Sequence, residues 1–211
     1  MLVDPELDTV TVDGRRVQPP PEHRYVVLDK PLGVITTARD EAGRKTVLDV
    51  IGREGGAGHR LFPVGRLDGD STGLLLLTDD GPLAYRLTHP RYKVPKEYTV
   101  TVAGVPDERE LAALRRGIKL DDGMTAPARV EVVRSTRGDR DSGRAELRVV
   151  ISEGRHRQVR RMLEAVGHRV VRLRRTAFGP LRAARPREGE WRVLTPRELA
   201  ALRRAAGLDV A

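Results

Sequence analysis

Short apolar runs and alternating apolar and polar positions dominate the chain, and only a few windows of about ten residues carry helical spacing. RYVVLDK (24–30) reads as a hydrophobic strand, and Pro31, Leu32 and Gly33 turn it into a second one, VITTA (34–38). Residues 46–50 suit one helical turn, and LFPV (61–64) leads through a glycine-punctuated loop to LLLL (74–77). That run is too short for a helix and fits a fully buried strand. A short helix opens at Pro82, where its missing N–H is harmless, and KEYTVTV (96–102) alternates cleanly as a strand. In the helix over 107–116, Asp107 suits the N-cap, Glu110 completes a capping box, and Gly117 ends the helix. ARVEVV (128–133) and AELRVVI (145–151) pair across the charged turn STRGDRDSG. A helix over 157–166, a strand RVVRLR (169–174) and a capped helix over 195–206 complete the pattern. Strands outnumber helices at hairpin spacings, so the fold class expected is α+β with a mixed or antiparallel sheet.

The first 23 residues stand apart. TVTVDGRRV alternates around Asp13-Gly14, and the proline run at 19–21 follows as a stiff linker. This reads as an appendage, with the main domain over 24–211. ELAALRR occurs at both 110–116 and 198–204, a coincidence of two amphipathic helices in an Arg, Ala and Leu alphabet.

Composition narrows the chemistry. The chain has 211 residues and no cysteine, which removes disulfides, thiolate nucleophiles and sulfur-ligated zinc. Neither an amino-terminal signal pattern nor a membrane-length apolar run occurs, so a cytoplasmic protein that avoids membranes is expected. Lys and Arg outnumber Asp and Glu by 39 to 30, and 155–175 holds eight arginines against Glu164 alone. GC-rich coding favours arginine over lysine but explains neither the excess nor the clustering. A polyanionic partner does. Aromatic residues make up only 3%, so electrostatics must carry most nucleic-acid affinity.

No phosphate-cradling or dinucleotide glycine motif and no metal-ligand spacing is present, so neither cofactor nor metal is expected. Two segments remain. In GRLDGDSTG (65–73), Asp68 either forms an Asx-turn beside Arg66 or serves as a carboxylate nucleophile or general base on a loop anchored by a buried strand. In EGRHRQVRRM (153–162), cations crowd the first turns of a helix, against its dipole. An RNA phosphate or a buried carboxylate would favour them there.

KPLGVITT (30–37), GRLDGDSTGLLLLTDDG (65–81), KEYTV (96–100), EGRHRQVRRM (153–162) and VVRLRRTAFGPL (170–181) together resemble the ordered signature blocks of bacterial rRNA pseudouridine synthases of the RsuA/RluB type. The likeness runs from Arg24 onward, nearly nine-tenths of the chain. It implies a pseudouridine synthase fold: a mixed, largely antiparallel central sheet flanked by helices, with a basic cleft and two similar halves. It also implies isomerisation of a specific rRNA uridine to pseudouridine, with base flipping and without cofactor or metal, by a monomer.

Carried over by position, Asp68 is the catalytic aspartate, Tyr98 the active-site tyrosine, and Arg160 the basic residue paired with Asp68, with Arg155 second in line. Arg66 helps displace or replace the target base, and Lys30, Lys96, Arg155, Arg157 and Arg161 join it in holding RNA. TTARDEAGRKTVLDVI (36–51) and the RRM ending favour the large-subunit branch, acting on a 23S rRNA hairpin. The alternatives are a 16S rRNA enzyme and a non-catalytic rRNA-binding or assembly factor. Relatives commonly begin with a small αL-type RNA-binding domain, and residues 1–23 resemble only a remnant of one plus a linker.

Overall fold

The computed structural model describes residues 10–17, 22–136, 143–183 and 187–208. A hairpin of β1 (Val10–Val12) and β2 (Arg15–Val17) turns at Asp13 and Gly14, both at positive φ as a two-residue hairpin turn requires. Next along the chain are β3 (Tyr25–Lys30), α1 (Val47–Gly56), β4 (Phe62–Pro63), β5 (Thr72–Thr78) and α2 (Gly81–Thr88). β6 (Lys96–Ala103), α3 (Glu108–Arg116), β7 (Lys119–Leu120), β8 (Gly123–Met124), β9 (Arg129–Ser135) and β10 (Arg144–Ile151) follow. The chain closes with α4 (Gln158–Ala165), β11 (Val170–Phe178), β12 (Leu181–Arg182), β13 (Trp191–Val193) and α5 (Pro196–Ala205).

The main sheet runs β13-β3-β5-β11-β6-β10-β9, with β4 added beside β5 and β12 beside β11. Its pairings are antiparallel except β5 with β11. The α+β class with a mixed, largely antiparallel sheet is therefore what the chain adopts.

Alternation along the central strands divides the apolar residues between two cores. Val26, Leu28, Leu75 and Leu77 face one, with Val47 and Ile51 of α1, Leu111 and Leu114 of α3, and Met162 and Leu163 of α4. Tyr25, Val27, Leu74 and Leu76 face the other, with Leu83 and Leu87 of α2 and Leu202 of α5. Helices on both sides explain why β5 reads as an unbroken apolar run. In β6 only alternate positions are buried, beginning with Lys96, Tyr98 and Val100. The two ELAALRR copies lie on α3 and α5, on opposite faces of the sheet.

Two expectations change. VITTA is no strand: only Ile35 bridges to Thr46, while the Thr36 hydroxyl donates to Leu67 O at 2.6 Å. The segment is tied by a side chain to the loop before β5 rather than by a ladder. The single turn foreseen at 46–50 is a ten-residue helix, capped by Thr46 and Asp49 and kinked at Gly52 (φ 60°). Much of the STRGDRDSG turn lies outside the described residues. Among those described, no helix is long and apolar enough to cross a membrane.

Candidate active site

The loop over 65–71 is held on several sides before it enters β5. Gly33 N–H donates to Gly69 O at 2.8 Å, and Ser71 N–H donates to Asp68 O at 3.0 Å. The Lys30 ammonium, with no exposed surface, donates to Ser71 O (2.7 Å) and Pro31 O (3.0 Å). Burial pushes its pKa down to about 8, against the pull of Asp70 and Asp68. Lys30 thus braces the loop from beneath, and the expectation that it contacts RNA is corrected: no phosphate reaches a fully buried ammonium that is already spent on two carbonyls.

Gly73 fixes the next step. It pairs with Arg175 across the parallel junction, at φ 107°, and a Cβ there would stand 2.3 Å from Arg175 O. Arg175 pairs in turn with Tyr98 on β6, so three central strands present Gly73, Arg175 and Tyr98 in one row.

A cavity of about 320 Å³ opens beside this row. Its lining includes Asp68, Arg66, Tyr98, Lys96, Arg155, His156 and Arg157, with Leu173, Arg175 and Phe178 from β11. Tyr98 is buried, the Asp68 side chain is 25% exposed, and Arg66 is exposed. The ring of Phe178 carries two cations, Lys96 Nζ at 5.6 Å and the Arg175 guanidinium at 5.1 Å from its centroid. Arg175 Nε donates to Leu74 O at 2.7 Å, whereas its buried Nη2 has no hydrogen-bond partner among the described residues. Lys96 Nζ donates to Val94 O at 3.2 Å, and burial together with the charge of Arg175 pushes its pKa down to about 8. The interior is thus a half-apolar chamber with buried cations, suited to an electron-rich ligand.

The arginine block does not pair as expected. Arg160 Nη2 lies 3.1 Å from Asp70 Oδ1 and donates to Asp70 O at 2.9 Å. Arg157 is the cation beside Asp68, at 3.7 Å, and it also reaches Asp70 Oδ2 at 3.2 Å. Burial tends to raise the Asp70 carboxyl's pKa, but the Arg157 hydrogen bond and the charges of Arg160 and Arg157 outweigh it and hold the carboxyl low.

The exchange has a geometric cause. Arg157 begins α4 in the left-handed region (φ 48°) with no side-chain cap, which swings it toward the loop, while Arg160 sits one turn inside, nine-tenths buried and outside the cavity lining. Arg155 and Arg161 are committed elsewhere. Arg155 donates to Asp122 O, Gly123 O and Met124 O, and Arg161 donates to Asp122 Oδ2 at 2.8 Å, so both fasten the β7–β8 hairpin.

Sequence reasoning did not single out Arg175, Phe178 or Asp70. The signal for Arg175 was the period of β11, since Leu173, Arg175 and Ala177 are buried in alternation.

The family model for RNA pseudouridylate synthase matches residues 24–165. The chain is similar to an uncharacterized RNA pseudouridine synthase of Aquifex aeolicus, 42% identical over 207 residues, covering 98% of this chain and 80% of that protein. It is also 42% identical over 199 residues to the ribosomal large subunit pseudouridine synthase B of Bacillus subtilis, covering 94% and 79%. Among solved structures, one described as a pseudouridylate synthase superposes with a TM-score of 0.75 at 33% identity, covering 96% of this chain and 83% of that one.

Proposed function

The chain belongs to the RNA pseudouridylate synthase family, and we propose that it isomerises a uridine in a 23S rRNA hairpin, with Asp68 as the catalytic carboxylate. The observation that carries the reading is Asp68 itself, held on a braced loop at the wall of the cavity, with Tyr98, Arg157 and Arg175 around the same space. The Bacillus subtilis relative named for the ribosomal large subunit supports the choice of 23S rRNA.

A uridine must leave its stack to reach such a chamber, at a cost of about a few kcal/mol. Arg66, exposed at the rim, presents a planar guanidinium to the gap left behind. Tyr98, Leu173 and Phe178 give the base an apolar bed and exclude water, so that a uracil cut from its sugar stays in place. Buried donors on Arg175 and Lys96 match the carbonyl oxygens of a uracil better than they match bulk water.

The carboxylate of Asp68 serves by attack on the anomeric carbon or the base, or by removing a sugar proton. In each route the N1–C1′ bond breaks, the base turns, a C5–C1′ bond forms, and the proton lost from C5 is matched by one gained at N1. Atoms balance within the nucleotide.

Base-resolution pseudouridine mapping of rRNA from cells lacking the protein tests this. One 23S uridine should lose its modification and regain it with the wild-type gene but not with Asp68→Asn. A lost site in 16S rRNA would move the substrate, and an unchanged map would overturn the activity.

A further inference from the structure

Outside the cavity, one surface concentrates rings and cations. Residues 81–95 contain Arg86, Arg91 and Lys93 and no aspartate or glutamate. They form α2 and a short 3-10 turn over Pro90–Tyr92. The inner face of α2 is spent on the core through Leu83, Ala84 and Leu87. Its outer face carries Tyr85, 55% exposed, with the His89 ring at 4.9 Å and tilted 41°. Tyr92 meets both rings edge-on, at 6.1 Å and 6.2 Å, and Arg86 lies 5.2 Å over Tyr92.

In a chain that is only 3% aromatic, two of its four tyrosines are thus gathered in one cationic patch, Tyr92 packed in part against the core and Tyr85 turned outward. The patch adjoins the cavity: Thr88, which lines it, lies three residues from Tyr85 on α2 and next to His89. Residues three apart share a helix face.

We propose that Tyr85 and His89 form a stacking platform for an unpaired base of the same RNA whose uridine enters the cavity, with Arg91 and Lys93 on the adjoining phosphates. Charge complementarity commits the patch to nucleic acid. A run of fifteen residues with three cations and no acid repels basic partners and attracts a polyanion. Exposed ring faces beside cations are what sequence-tolerant binding of single strands requires. The proposal rests on the reading of the substrate as RNA, not on the chemistry at Asp68.

Two measurements test it on the full chain: binding of fluorescein-labelled single-stranded polyuridylate, and turnover on deproteinised rRNA from cells lacking the protein. Tyr85→Ala should weaken polyuridylate binding about fivefold or more, and Tyr85→Phe and Tyr85→Trp should retain it. On rRNA, Tyr85→Ala should raise KM by a similar factor and leave the saturating rate within about twofold of wild type. An Arg91→Ala, Lys93→Ala double variant should flatten the salt dependence of binding.

Unchanged binding in both the Tyr85→Ala and the double variants overturns the platform and assigns the patch to another partner. A loss shared by Tyr85→Phe overturns stacking in favour of a hydroxyl contact. If wild-type protein leaves rRNA unmodified while polyuridylate binding still responds to Tyr85, the proposed activity fails and the platform stands.

Discussion

At the scale of single residues, Asp68 and Tyr98 stood out as candidates because each sits in a short motif, one on the loop that enters β5 and one on the cleanly alternating β6, and one cavity is lined by both. The partners of the arginines were not, because 155–161 offers four guanidiniums within two helical turns and only the left-handed start at Arg157 decides which faces Asp68. Asp68→Asn should lower turnover at least about 100-fold, with RNA affinity nearly unchanged. Wild-type-like turnover would remove the chemistry from this loop.

Lys96 gives a second, pH-dependent expectation. Its pKa is about 8 in the fold and near 10.4 unfolded. The unfolded chain therefore binds more protons between these values, and stability linked to Lys96 rises with pH across that window. Below about 8 the buried ammonium is at its full disadvantage. Lys96→Met should then raise Tm at pH 7, with the gain shrinking toward pH 10, while RNA binding weakens. A Tm difference that does not depend on pH would contradict this.

At the scale of elements, caps and strand phase carried most of the information. Asp107 with Glu110 and Thr195 with Glu198 form capping boxes in the structure, as their spacing indicates. What the sequence hid was which strands meet, above all the parallel junction of β5 with β11, joined across about a hundred residues of chain. Gly73 marks that junction. Alanine there would need positive φ and would drive its Cβ against the Arg175 backbone, with no flexible side chain to yield. Gly73→Ala should lose about 3 kcal/mol or more and disable the site, since Arg175 and the Asp68 loop both hang on the pairing. Gly81→Ala, at ordinary φ and with nothing within 4 Å of the added Cβ, should stay within about 0.5 kcal/mol of wild type. Equal stability of the two variants by urea unfolding would show that β5 and β11 can part without loss.

For the whole molecule, a count of 39 lysines and arginines overstates the cations free to meet RNA. Across the basic run Arg157 and Arg160 face Asp70, Arg174 is paired with Asp29, and Arg155 and Arg161 share Asp122. Composition showed the excess but could not show this internal matching, because the carboxylates lie far away in sequence, Asp29 on β3, Asp70 on the loop before β5 and Asp122 on the β7–β8 hairpin. Asp122 is the most replaceable of them. It is half-exposed on the β7–β8 hairpin, outside the cavity lining, and its carboxyl is held low chiefly by the hydrogen bond from Arg161 and then by that from Arg155. A phosphate arriving there must displace it. Asp122→Asn removes the competing charge and leaves both arginines beside a neutral amide. RNA should bind more tightly at low salt, and the slope of log K against log salt should steepen by about 0.7–0.9 for each further phosphate that the freed arginines neutralise. Saturating turnover should stay close to wild type, because Asp122 lies outside the cavity lining and meets it only through Arg155, which the carbonyls of Gly123 and Met124 still hold. If the slope does not change, Arg155 and Arg161 serve only to hold the hairpin, and the phosphates of the substrate track across another face of the protein.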